Sequence, residues 1–461
     1  MSEKSVSKQM SVNLIASIIA FAVNVGINFF LTPYLVKSLG NEAYGFIGLA
    51  NNFVQYANII TVALNSIAGR FISIEYHNGN TEKASKIFSS VLVADLFLAG
   101  VLLVGSAGVT LFIDSFLNIP AELVTDVKIT FAITFMTFIV SVVTAIFTTA
   151  AFVKNRLDIN SIRDIISNLL KVALVVALFA FLPAQLYFLA LACLASGLFL
   201  LVANITVKKK ILPDVKVNIK DFSFGLVKTL LMAGIWLSFS QLCNVLMTGL
   251  DLLICNLTLG AALMGILSIA KTVPVCLGNL ITTLGNVFTP HFTIRYAKND
   301  IKGLVEETKF SGKIMNYIMV VPIAGFIIFG KQFYTLWQPT KSPEEIMMIQ
   351  IISVLTCLTY LFSCSTQCHM MLFTVCNKLK MPVFVNFIIG LASVVIVLVI
   401  LFFGNLGDLG IYAIAGVSSV LLSVRSVTFV PMYAAQAEEQ PEKGTAAEAA
   451  TEQETEQPQE K

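Results

Sequence analysis

Twelve apolar runs recur along this chain, each long enough to cross a bilayer. They fall at about 12–36, 45–69, 87–112, 128–152, 163–182, 186–207, 225–256, 262–290, 313–330, 346–376, 383–403 and 410–432. A helix needs about 20 predominantly apolar residues to span a hydrocarbon core of about 30 Å. In that core a helix satisfies its own backbone hydrogen bonds. Charged residues are only 12% of the chain and mean hydropathy is +0.84, against about a quarter charged in soluble domains. The reading is an all-α integral membrane protein with about twelve transmembrane helices. The lead MSEKSVSKQM opens onto an apolar run longer than the roughly 7–15 residues of a cleaved signal's core. The first run is therefore predicted to be a retained helix.

The runs are organised in two copies. Between Asn24 and Tyr76 two apolar segments flank the polar turn Ser38-Leu39-Gly40-Asn41-Glu42. The same plan returns 220 positions later without a gap. Gly40 falls on Gly260, Gly45 on Gly265, Ala50 on Ala270, Asn24 on Asn244, and Ile74-Glu75-Tyr76 on Ile294-Arg295-Tyr296. Each copy holds six spans, an even number, so both start on the same side and are parallel repeats about an axis along the membrane normal. The expected divisions are a cytoplasmic N-terminus (1–11), an N-lobe (12–207), a basic linker (208–224), a C-lobe (225–432) and an acidic tail (433–461). The tail is rich in Glu, Gln, Ala and Pro, a composition that does not fold alone.

Basic residues set the orientation. Alternate loops carry Arg70, Lys83 and Lys86; Lys154, Arg156 and Arg163; Lys208, Lys209 and Lys210; and Arg295, Lys298 and Lys302. The other side carries Lys37, Lys128, Lys331 and Lys341. The positive-inside rule then predicts a multi-pass protein with both termini cytoplasmic. The loops are too short for a folded soluble domain, and no Walker-type phosphate loop is present. The basic balance is accounted for by these loops, and nucleic acid is not an expected partner.

Polar residues inside the spans mark candidate sites. Asn24 and Asn28 stack on one helix face; Asn51, Gln55 and Asn58 stack on the next, with Asn65 continuing the row. Amides cannot face lipid unpaired. They serve either as interhelical glue, worth about 0.6 kcal/mol per contact, or as the wall of a hydrated cavity, and six in one hairpin favour the cavity. Gln241, Asn244, Asn279 and Asn286 repeat the theme more thinly. Ionisable residues at membrane depth are functional candidates by default. They are Asp95, Asp251 and Lys271. Asp251 and Lys271 flank the turn at 257–261 at depths of roughly 9 Å and 15 Å, within reach of each other. They form either a structural pair or a site in which Lys271 meets an anionic group. Arg70 and Arg295 end their spans on the basic side, where guanidinium forks suit phosphate oxygens.

Cys364, Cys368 and His369 lie together, but one helix face offers too few ligands for a metal, and buried cysteines ordinarily pack as small apolar residues. No metal, cofactor or catalytic residue is expected.

The phrase Phe30-Leu-Thr-Pro-Tyr-Leu-Val-Lys-Ser-Leu-Gly-Asn-Glu-Ala-Tyr-Gly45 resembles the first hairpin of polysaccharide transporters, the O-antigen and oligosaccharide flippases of the multidrug/oligosaccharidyl-lipid/polysaccharide exporter superfamily. Gly234-Ile235-Trp236, Asp251-Leu252-Leu253, Leu259-Gly260-Ala261-Ala262 and Thr289-Pro290 are similar to the second-half signature. The resemblance implies a two-lobed bundle of six plus six helices, like the multidrug and toxin extruders. It also implies alternating access to a central cavity in a bacterial cytoplasmic membrane. The implied cargo is an undecaprenyl-pyrophosphate-linked saccharide, and polysaccharide assembly enzymes are the implied partners. Arg70, Arg295, Lys271 and the amides Asn24, Asn28, Asn51, Gln55 and Asn58 are then the candidate substrate-binding residues. The extruders themselves exchange organic cations for H+ or Na+ at intramembrane carboxylates. Asp95 and Asp251 are the coupling-ion candidates on that alternative.

Overall fold

The computed structural model describes residues 3–439 apart from 298, 299, 377, 379 and 405. Among them are fourteen α-helices and no strand. The first half contains α1 (Glu3–Leu39), α2 (Asn41–His77), α3 (Thr81–Phe116), α4 (Val124–Val153), α5 (Leu157–Phe181) and α6 (Tyr187–Ile211). The second contains α7 (Phe224–Asn244), α8 (Asp251–Leu259), α9 (Ala261–Ala297), α10 (Ile301–Trp337), α11 (Pro343–Val375), α12 (Lys380–Phe403), α13 (Gly410–Val427) and α14 (Phe429–Glu439). Twelve spans among the described residues are long and apolar enough to cross a membrane. Helices α7 and α8 share the seventh, and α13 runs on into α14 in the twelfth. Each span coincides with an apolar run of the sequence.

The repeat is visible in the backbone. A single residue, Gly40, separates α1 from α2, at φ 87° and ψ 171°. Gly260 separates α8 from α9 at φ 91° and ψ 177°. Essentially only glycine occupies that region. Immediately beyond the turns α2 and α9 cross. A Cβ on Gly45 would lie 2.9 Å from the Cα of Gly265, and one on Gly48 would lie 2.6 Å from Ser268 Oγ. Small residues at repeat-related positions let the two backbones touch. Leu49, Ala50, Met264, Leu267 and Ala270 are almost fully buried around the crossing, in one core shared by both halves.

The face that carries the two glycine turns is closed by bonds between halves. Asn118 and Asn256 exchange backbone and side-chain bonds of 2.8–3.1 Å. Asn41 Nδ2 donates to Glu345 Oε1 at 3.0 Å. Trp337 Nε1 donates to the Phe29 carbonyl at 2.8 Å. Towards the opposite face, where both ends of the described chain lie, α1 turns away from the second half and onto α5, through Gln9 to Asp158, Asn13 to Asn155 and Ser17 to Ser161.

Three boundaries differ from the sequence reading. Helix α1 begins at Glu3, well before 12, and Gln9 bonds it to Asp158 of α5. The seventh span is interrupted by a π-turn, Val245–Gly249. The expected tail starts as helix, with Tyr433 stacked on Phe429 and Ala434 buried; residues from 440 lie outside the described part. The basic linker is laid on α3, where Ser85, Ser89 and Ser90 accept from the backbone N–H groups of Lys216, Asn218 and Ser223 at 2.9–3.0 Å.

Candidate functional site

A cavity of about 1050 Å³ lies between the halves, walled by α1, α2, α5 and α9 with contributions from the π-turn and α11. Asn24 and Asn28 enter it from α1, and Asn51, Asn52 and Gln55 from α2. Asn168 of α5 and Asn279 of α9 complete the set of amides. The amides are linked: Asn28 Nδ2 donates to Asn24 Oδ1 at 3.1 Å, and Asn24 Nδ2 to Asn168 Oδ1 at 3.4 Å. Hydroxyls fill the intervals, among them Ser161, Ser167, Thr248, Thr282 and Thr283. Towards the glycine turns the cavity ends at Thr32 and Tyr44, whose oxygens are 3.2 Å apart.

Lys271 lines the cavity. Its Nζ is bonded to Asp251 and donates to the Thr248 carbonyl at 3.2 Å. Asp251 is 7% exposed and is not part of the wall. The π-turn brings the two together: it carries Thr248 and leads directly into Asp251. The paired cation therefore adds little net charge to the wall.

The remaining sequence candidates lie outside this cavity. Asn58 belongs to the stretch of α2 that has moved on to pack against α7, and its amide oxygen accepts from Thr61 at 2.8 Å. Arg70 is exposed near the end of α2. Arg295 is ion-paired with Asp300 at 2.7 Å and with Glu307, which together hold the guanidinium above its usual range. Asp95 is wholly buried between α3 and α2, where Asn65 Nδ2 donates to its Oδ1 at 3.0 Å. In the linker region Lys208 is buried and donates to the Val215 carbonyl, while Lys209 and Lys210 are exposed. The side chains of Asn286 and His291 lie outside the described part.

Asp164 is the ionisable cavity residue that sequence reasoning missed, alongside the amides of Asn52 and Asn168. It faces the cavity from α5 beside Asn168 and has no ion-pair partner among the described residues. The signal is present in the sequence, since Asp164 lies one residue inside the run at 163–182, next to the loop-assigned Arg163. The thiols of Cys364 and Cys368 are buried, and no group of three metal-ligating side chains occurs among the described residues.

Two six-span halves, a shared crossing of glycines and a polar cavity between them define a polytopic membrane protein of the two-lobed kind. The chain belongs to the polysaccharide biosynthesis protein family, which it matches over residues 11–296. It is 32% identical over 394 residues to the uncharacterized membrane protein EpsK of Bacillus subtilis (strain 168), covering 85% of this chain and 76% of that one. It is 24% identical to a putative O-antigen transporter of Shigella flexneri, covering 56% of this chain and 61% of the relative. Among solved structures, it matches an inward-facing multidrug resistance MATE transporter with a TM-score of 0.69 at 15% identity, covering 93% of this chain and 99% of the other. A MOP superfamily transporter from Pyrococcus furiosus Vc1 (DSM3638) matches with a TM-score of 0.71 at 15% identity, covering 94% and 96%. These likenesses establish the fold.

Proposed function

We propose that the chain moves an undecaprenyl-pyrophosphate-linked oligosaccharide from the inner to the outer leaflet of a bacterial cytoplasmic membrane, by alternating access, for cell-surface polysaccharide synthesis. The observation that carries this reading is the amide- and hydroxyl-lined cavity between the halves. Sugar hydroxyls both donate and accept, and so do carboxamides and hydroxyls. Each such bond is worth about 1 kcal/mol net, so a wall of many weak bonds holds a headgroup without trapping it. Asn24, Asn28, Asn51 and Gln55 contact the saccharide. Its lipid tail stays in the bilayer at the gap between α1 and α9. The glycine-turn face is external, both termini are cytoplasmic, and the N-lobe (12–207) and C-lobe (225–432) rock about the linker (208–224). Arg70 captures the pyrophosphate; Arg295, already shared by two carboxylates, contributes less.

A second reading, exchange of an organic cation for H+ or Na+, is favoured by one observation: the unpaired Asp164 carboxylate in the cavity. Proteoliposomes separate the two. A labelled undecaprenyl-pyrophosphate oligosaccharide is placed in the lumenal leaflet and a fluorescent organic cation in a parallel sample. Headgroups becoming accessible to an external sugar-modifying enzyme, with a static cation, is the expected outcome. Asn51→Leu with Gln55→Leu should slow it at least tenfold, and Arg70→Gln should slow it more than Arg295→Gln. Ion-driven cation movement with a static saccharide would replace the reading with the second.

A further inference from the structure

Asp95 occupies the middle of α3, 0% exposed, on a pair of helices, α3 and α2, whose Leu64, Ala68 and Leu92 belong to one buried apolar cluster. One carboxylate oxygen accepts from Asn65 Nδ2 at 3.0 Å. The other, Oδ2, is sealed from solvent without a donor, and the amide oxygen of Asn65 is in the same condition. The pair therefore holds two buried acceptors and lacks one donor. Buried polar groups are almost always hydrogen-bonded, and an unpaired buried carboxylate is far costlier than an unpaired amide. Turning the amide over does not mend this, because it would set oxygen against oxygen. Its present orientation also directs Nδ2 towards the Thr61 carbonyl, at 3.5 Å.

No cation from elsewhere supplies the missing positive charge. The acidic, basic and histidine groups on the elements packed against α3 are Glu42, Arg70, Glu75 and His77 on α2, Asp126 and Lys128 on α4, Lys228 on α7, and Lys208, Lys209, Lys210, Asp214, Lys216, Lys220 and Asp221 on the linker. Among the described residues none is bonded to Asp95, and Arg70, the one nearest Asn65 along the chain, is exposed. A hard metal ion takes about six or more oxygens, and the apolar cluster here offers few beyond the two orphans. A proton needs only the two.

We propose that Asp95 is a proton-binding site: its carboxyl carries a proton on Oδ2 that donates to the Asn65 amide oxygen, closing a two-bond acid–amide clasp between α3 and α2. The clasp is neutral, which suits its apolar setting, and it fixes the helix that forms part of the cavity wall. Because the proton is held inside the first half and outside the cavity wall, Asp95 keeps it independently of whatever occupies the cavity.

Infrared difference spectroscopy on the full chain in nanodiscs at neutral pH tests this directly. Wild type minus Asp95→Asn should show the carbonyl band of a protonated carboxyl, shifted in heavy water. In thermal unfolding Asp95→Asn should keep the wild-type midpoint, because its amide N–H donates where the acid O–H does. Asp95→Leu and Asn65→Leu should each lose several degrees. A carboxylate band in place of the acid band would overturn the proposal. So would an Asp95→Asn protein that unfolds with Asp95→Leu or fails to fold where wild type folds.

Discussion

Two seams join the halves, and the repeat relates one to the other, yet they are opposite in character. Where α2 meets α7, the backbones are in contact: a Cβ on Gly234 would strike the Ala63 carbonyl, and Ser238 Oγ donates to the Ile59 carbonyl at 2.6 Å. Further along, the π-turn frees the Gly249 carbonyl to accept from Tyr56 at 2.7 Å and Asn52 at 2.9 Å. The related pair, α1 and α9, barely touches. The α9 residues 220 positions beyond Asn52, Tyr56, Ile59 and Ala63 are Thr272, Cys276, Asn279 and Thr283, and all four line the cavity. The same helix face is thus a clasp in one copy and a cavity wall in the other. What differs is the partner: α7 has a glycine at the close approach and a π-turn, whereas α1 leans on α5.

Substitutions that treat the seams unequally test that contrast. The largest effect is expected at Gly234. Gly234→Leu drives a side chain into the Ala63 backbone, and overpacking costs about 1–3 kcal/mol or more; the yield of folded protein should collapse. Thr283→Leu, at the repeat counterpart of the Ala63 that Gly234 touches, points into open cavity and should leave the unfolding midpoint within error.

Next is the charge pair at the cavity edge. Lys271→Ala strands the buried Asp251, and removing one partner of a buried pair costs about 3–5 kcal/mol. Lys271→Met with Asp251→Leu should recover most of that stability in thermal unfolding. Transport that stays lost in the stable double variant would assign Lys271 a role in binding; recovered transport would make the pair structural.

A smaller effect follows from the π-turn. Tyr56→Phe removes one of two donors to the Gly249 carbonyl and should cost about 1 kcal/mol, whereas Cys276→Ala, its counterpart, should cost less. Equal losses at both positions would mean that the seams are energetically alike.

Much of this was legible in the sequence because it depends on local pattern. Span lengths follow from apolar runs, and Gly40 and Gly260 mark turns that only glycine makes. Asn24, Asn28, Asn51 and Gln55 reach the cavity because amides cannot face lipid. The seam asymmetry was not legible, since paired positions in the two copies carry no sign of which one closes. The π-turn is a change of hydrogen-bond register without a residue signature. Asn58 shares the helical face of Asn51 but lies at a depth where α2 has a different neighbour. The acids that tie up Arg295 come from α10 and the turn before it, so span-by-span reading left that arginine free.

The most direct test is to lock the glycine-turn face. Asn118→Cys with Asn256→Cys, in a background lacking reactive native thiols, places two thiols where the halves now exchange hydrogen bonds. In proteoliposomes the cross-linked protein should bind the lipid-linked oligosaccharide but expose no headgroup on the far side, and reduction should restore transport. Undiminished transport through the cross-linked protein would contradict a pathway that opens by separating the halves at that face.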